Sequence, residues 1–211
     1  MKTLVQCDFD GTITEEDTSF FLLDLFAQGD WRRWLQQYRE HRIPVGEFNI
    51  RAFSLIKEDE KTLLRAIKDK IAIRPGFHEL VDYCSGRGFR FVIVSNGLDF
   101  YIKAILKGLG LERVEFHAAR AYFDPQGLKV QYIGPDGREL RDNFKEAYLK
   151  LFLNQGYRVV YVGNGDSDIS PAKLAHHVLA RGELLDYFQE NNLPCQPFED
   201  LTDVVRALML L

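Results

Sequence analysis

Apolar positions along the chain follow two rhythms. Thr3 to Phe9 is a short, dense apolar run of the kind that forms a buried strand. From Asp17 to Ile71 the apolar positions recur at spacings of three and four, which predicts helices. Phe20, Phe21, Leu22, Leu25 and Phe26 make one stripe, closed by Gly29. Asp30 is placed to cap a second helix carrying Trp31, Trp34, Leu35 and Tyr38. Pro44 to Gly46 interrupts the pattern. A third helix then carries Phe48, Phe53, Leu55 and Ile56, and a fourth carries Leu63, Leu64, Ile67 and Ile71. Four short helices in succession predict a small bundle.

At Arg74-Pro75-Gly76 the rhythm changes. A helix over 77–85 runs into Gly86 and Gly88. Phe89 to Val94 is then a run of β-branched and aromatic residues suited to a strand buried on both faces. Helices are predicted over 99–107 and 144–153 and from about Pro171, with Ser170 as the N-cap of the last. Strands are predicted at Val114–His117, Arg158–Val162 and Val178–Ala180. Leu128 to Leu140, with Pro135-Asp136-Gly137 inside it, reads as a β-hairpin. Alternating strands and helices imply an α/β fold with a parallel, Rossmann-like sheet. The predicted organisation is a core formed by 1–13 and 75–211, with a helical cap of 14–74 inserted after the first strand.

Composition narrows the class of protein. The 211 residues are 46% hydrophobic and 27% charged, which is ordinary for a globular chain. The net charge of −4 offers no basic field for a nucleic acid. No apolar run reaches membrane-spanning length, and the run before Asp8 is too short for a signal peptide. The three cysteines, Cys7, Cys84 and Cys195, are widely spaced and have no metal-ligand pattern. A cytoplasmic protein, monomeric or homodimeric, with no nucleic-acid or membrane partner is the expectation.

Candidate chemistry collects at predicted strand ends, where ligands bind in open α/β sheets. Asp8-Phe9-Asp10-Gly11-Thr12 places two carboxylates on one side of an extended strand end, with Phe9 on the other. Carboxylates that close repel unless a cation or proton shares the site. A hard cation would hold Asp8 ionised as a nucleophile and leave Asp10 to handle the leaving oxygen and a water. Ser95-Asn96-Gly97, ending the next strand, offers a hydroxyl and a flexible turn before a helix. Lys145 lies in the first turn of a helix, with Asn143 and Glu146 spaced as a capping box. A cation there opposes the helix dipole and is better explained if it faces anions. Gly163 to Asp168 is a glycine-rich loop of oxygen ligands directly after a strand. Asp17 is placed either to cap the first inserted helix or to face a substrate.

Taken together, these segments resemble the haloacid dehalogenase superfamily of phosphatases, and the inserted helices resemble the cap of its phosphoserine-phosphatase-like branch. Arg74-Pro75-Gly76-Phe77 is similar to that branch as well. Within it, Asp8 to Asp17, Ser95 to Phe100, and Leu179-Ala180-Arg181 onward to Phe198-Glu199-Asp200 resemble the methionine-salvage phosphatases, which act on a hydroxy-keto-methylthiopentenyl phosphate. The resemblance implies a magnesium-dependent phosphomonoesterase for a small phosphorylated metabolite, working through an aspartyl-phosphate. It implies Asp8 as nucleophile and Asp10 as general acid and base. Thr12, Ser95, Asn96, Gly97 and Lys145 would surround the phosphate. Asp8, Asp10, Asn164 and Asp168 would hold the metal. The family carries an aspartate where this chain has Asn164, so the ligand set between Asn164, Asp166 and Asp168 stays open. A phosphoserine phosphatase, a phosphotransferase or mutase, and a non-catalytic phosphate-binding protein are the alternatives on the same fold.

Overall fold

The computed structural model describes residues 2–211. Strand β1, Thr3–Cys7, is the first element. The helices α1 (Thr18–Phe26), α2 (Arg32–Arg39), α3 (Val45–Phe53) and α4 (Glu60–Ile67) follow it. The chain then forms α5 (Phe77–Arg87), β2 (Arg90–Leu98), α6 (Asp99–Gly108), β3 (Glu115–Tyr122), β4 (Lys129–Ile133) and β5 (Glu139–Leu140). It closes with α7 (Phe144–Asn154), β6 (Arg158–Gly163), α8 (Ile169–Ala172), β7 (His177–Ala180), α9 (Gly182–Glu190), β8 (Gln196–Pro197) and α10 (Leu201–Leu208).

The strands form one sheet in the order β5-β4-β3-β2-β1-β6-β7-β8. From β3 to β8 every pairing is parallel, and β4 and β5 add an antiparallel hairpin at one edge. The expected α/β architecture is therefore present. Strand β1 is central, with β2 on one side and β6 on the other. The chain departs in opposite directions from this point, which opens a crevice beyond the C-terminal end of β1. Leu4, Val5, Val92, Ile93, Val94, Val159 and Val160 are fully buried, as strands covered on both faces require.

Several boundaries differ from the sequence pattern for local reasons. Helix α3 stops at Phe53, so Leu55 and Ile56 lie beyond it, and the Ile56 carbonyl accepts from Leu128 N at 2.8 Å. Helix α4 stops at Ile67 and excludes Ile71, because Asp69 takes a left-handed φ of 58°. Strand β2 continues past Val94 through Ser95-Asn96-Gly97 to Leu98, with its register against β3 broken between Val94 and Leu98. Strand β3 runs to Tyr122 because it pairs on both sides, with β2 and then β4. Ser170 is not an N-cap: a short 3-10 turn at Asp166–Asp168 leads straight into α8, leaving Ser170 inside the helix.

The inserted helices meet the core at more than their two ends. Thr14 and Ile73 form a single antiparallel bridge where the chain leaves and returns. On the far side, Lys57 Nζ donates to the Gln126 carbonyl at 3.2 Å, next to the Leu128–Ile56 bond. Gly46 and Gly127 pack so closely against the Arg141 and Ser54 carbonyls that a methyl group on either would collide.

Candidate active site

The segment from Asp8 to Thr12 is shaped by its own backbone. Phe9 is fully buried, and its carbonyl accepts from Ile13 N at 2.8 Å and Thr12 N at 3.2 Å, which folds the chain back after β1. Gly11 turns at φ 74°, a conformation that favours glycine. Two guanidinium groups hold this turn. Arg74, itself buried, donates to the carbonyls of Thr12 at 2.9 Å, Gly11 at 3.1 Å and Thr14 at 3.3 Å. Arg181 donates to the Gly11 carbonyl at 2.9 Å.

Asp8, Asp10, Asp17, Ser95, Asn96, Gly97, Lys145 and Asn164 line one cavity of about 750 Å³. The sequence-predicted site is thus largely assembled in one place. Lys145 Nζ stands 2.9 Å from Asp8 Oδ1, while Asp8 Oδ2 has no side-chain partner among the described residues. Burial, and next the charge of Asp168, push the Asp8 carboxyl up to about 7, against the pull of Lys145. Burial alone would lower the Lys145 pKa, but Asp168 and Asp8 outweigh it and hold the ammonium well above the usual lysine range. The capping box expected around this lysine is absent. Asn143 adopts a left-handed φ of 56° and its side chain caps nothing, while the Glu146 carboxylate turns to Lys150 and Ser170.

Asp10 is held differently. Its Oδ1 accepts from Thr18 N at 3.0 Å and its Oδ2 from the Tyr101 hydroxyl, which also lies 2.9 Å from Ser19 Oγ. Burial first, and then the neighbouring Asp17, raise Asp10 to about 7. Asp17 both lines the cavity and caps α1, accepting from Phe20 N at 2.9 Å. Burial raises it to about 6.

Three predicted site residues occupy other roles. Asp168 is fully buried beneath the loop and does not reach the cavity. Its Oδ1 accepts from Lys145 Nζ at 2.7 Å and Tyr161 OH at 2.6 Å, and its Oδ2 from the amides of Asn164 and Gly165, each at 2.9 Å. Four donors occupy this carboxylate, so it positions Lys145 instead of holding a metal. Thr12 is fully buried and donates to Asn164 Oδ1 at 2.7 Å, so its hydroxyl orients that amide and does not face a phosphate. Gly97 gives its N–H to Ser95 Oγ at 3.0 Å, and it is needed for space: a methyl group there would collide with Asp10 Oδ2 and the Tyr101 hydroxyl.

The donor set fits a hard divalent cation. Lys145 pairs with Asp8 and Asp168, Asp10 and Asp17 line the same cavity, and Arg74 and Arg181 donate to backbone carbonyls. The Asp8 carboxylate, the Asp10 backbone carbonyl and Asn164 Oδ1 are oxygen donors, and such a cation is held by one or two carboxylates while keeping waters. Asp166 also lines the cavity and faces Tyr38, whose hydroxyl is raised by burial and then by that carboxylate. Tyr101 and Tyr161 were not singled out from sequence, and Arg74 and Arg181 entered only within stretches that carry the family resemblance, without a role.

Residues 5–173 match the family model of haloacid dehalogenase-like hydrolases. A 2-hydroxy-3-keto-5-methylthiopentenyl-1-phosphate phosphatase of Geobacillus kaustophilus is 33% identical, covering 96% of this chain and 93% of its own. One of the same description from Brevibacillus brevis is 28% identical over 98% of this chain and 95% of its own. Among solved structures, a substrate-bound phosphoserine phosphatase superposes with a TM-score of 0.74 at 21% identity, covering 98% of both chains.

Proposed function

The chain belongs to the haloacid dehalogenase-like hydrolase family, and on that premise we propose that it is a magnesium-dependent phosphomonoesterase acting through an aspartyl-phosphate on Asp8. The observation that carries this reading is the contact of Lys145 with Asp8 on the wall of a cavity that also holds Asp10.

The free oxygen of Asp8 attacks the phosphorus in line, and the bond to the leaving oxygen breaks. Asp10 gives its proton to that oxygen. It then takes a proton from the water that attacks the phosphorus and releases Asp8 and inorganic phosphate. A group raised to about 7 can do both at neutral pH. Lys145, the Ser95 hydroxyl and the backbone amides after Asp8 bind the phosphoryl oxygens. The Asp8 carboxylate, the Asp10 carbonyl and Asn164 would hold magnesium, which would supply positive charge to those oxygens.

The inserted helices act as a cap that selects the leaving group. Phe20, Leu35 and Phe48 give the cavity an apolar side. Arg51 is turned elsewhere, paired with Glu47 and stacked 4.5 Å over the Trp34 ring, so it does not serve a substrate carboxylate. These features, with the activity for which the bacterial relatives are named, support 2-hydroxy-3-keto-5-methylthiopentenyl-1-phosphate as substrate. All three cysteines are free, and we assign the reaction to the cytoplasm, on a free small molecule. The test compares native protein and Asp8→Asn with magnesium, on this ester and on phosphoserine. Native protein is expected to prefer the former, and Asp8→Asn to lose several orders of magnitude in turnover. Near-native turnover by Asp8→Asn would sink the mechanism, and a preference for phosphoserine would sink the substrate.

A further inference from the structure

Ser95 is buried and lines the cavity. Its oxygen accepts from Gly97 N at 3.0 Å, and among the described residues its own hydrogen has no acceptor. Fixing the Gly97 N–H on one side of that oxygen leaves the hydroxyl hydrogen to face the cavity. The direction of the Gly97 N–H therefore sets where Ser95 points. The sheet does not set it, because the β2–β3 register breaks between Val94 and Leu98.

The Asn96–Gly97 peptide is instead gripped by its carbonyl. Asn96 O accepts from Tyr132 OH at 2.7 Å and from Asn49 Nδ2 at 3.0 Å, and Nδ2 lies 2.6 Å from the Tyr132 oxygen. A carbonyl can only accept, so Asn49 must present its amide nitrogen, and the three groups close a ring of consistent donors. Tyr132 and Asn49 are both buried, at 1% and 5% exposure. Donors on a peptide carbonyl also polarise its N–H, which strengthens the bond to Ser95.

We infer that Asn49 and Tyr132 are positioning residues for the phosphoryl group, acting by clamping the Asn96–Gly97 peptide so that the Ser95 hydroxyl faces the substrate. Asn49 belongs to the inserted helix α3 and Tyr132 to the edge strand β4, so the clamp ties both to the phosphate end of the site. The inference rests on Ser95 as a phosphoryl ligand.

The experiment is a pair of double-mutant cycles. Tyr132→Phe and Asn49→Leu are each made in native and in Ser95→Ala backgrounds, with melting temperature followed throughout. The readouts are kcat/KM and the inhibition constant of inorganic phosphate. In the native background each substitution is expected to weaken both readouts about tenfold, as loss of one buried hydrogen bond does. In the Ser95→Ala background the further loss is expected to fall to twofold or less. Tyr132→Phe keeps the ring and carries the test alone if Asn49→Leu does not fold. An equal tenfold loss in both backgrounds, or no loss in the native one, overturns the inference. If Ser95→Ala itself leaves both readouts native, the reading of Ser95 beneath it fails instead.

Discussion

Asp168 Oδ1 stands 2.7 Å from Lys145 Nζ, nearer to that ammonium than Asp8 Oδ1 at 2.9 Å. The buried carboxylate thus carries the lysine toward Asp8. Asp168→Asn leaves a buried ammonium with half its compensation, and breaking a buried ion pair costs roughly 3 kcal/mol or more. Urea denaturation is expected to show that loss, and turnover of a chromogenic phosphate ester is expected to fall with it. Native stability in Asp168→Asn would show that Lys145 needs no such anchor.

The raised carboxyl of Asp10 gives the metal-free protein a pH-dependent stability. Its folded value of about 7 lies above the ordinary 3.8. A carboxyl raised by folding contributes stability that is fully present below 3.8 and is lost as pH rises through about 7. Asp10→Asn removes that loss. The metal-free variant is expected to melt above the native protein at pH 8 and to gain no such advantage at pH 4. Equal differences at both pH values would contradict the assigned environment.

Gly97 packs directly against Asp10 and Tyr101. Gly97→Ala puts a methyl group where Asp10 Oδ2 and the Tyr101 hydroxyl already meet. Displacing the acid by about 1 Å is expected to reduce kcat roughly 100-fold. Circular dichroism is expected to stay native, which separates a displaced acid from a lost fold.

Asn164 offers a metal an oxygen without a charge, and Thr12 fixes which way the amide faces. Asn164→Asp keeps an acceptor for Thr12 and adds a carboxylate. Ligand charge tunes affinity for hard cations, so magnesium binding measured by calorimetry is expected to tighten about tenfold. Unchanged affinity would remove this position from the ligand set.

Much of this was legible in the chain because the signals are local. The apolar runs of β1, β2 and β6 mark the sheet centre, and each leads directly into a segment that lines the cavity. What escaped depends on partners distant in sequence. Asp168 reads as a loop ligand until Lys145 and Tyr161 are seen to occupy it. Thr12 reads as a phosphate contact until Asn164, 152 positions away, takes its hydroxyl. Tyr101 and Tyr132 look like ordinary core aromatics, and only their hydroxyl partners separate them from it. Asn143 had the right spacing for a cap and the wrong backbone angle, which spacing does not encode.

The attachment of the inserted helices to residues 126–141 also bears on how the molecule is made. During synthesis, residues 14–73 leave the ribosome well before Gln126, Leu128 and Arg141 exist. The buried Ile56 carbonyl and the tight seats at Gly46 and the Ser54 carbonyl stay unfilled for that interval. Segments usually mature in the order in which they are translated. Here the first helices to appear are completed by a strand that comes much later, so a nascent chain halted before Leu128 carries an insertion with its outer side exposed.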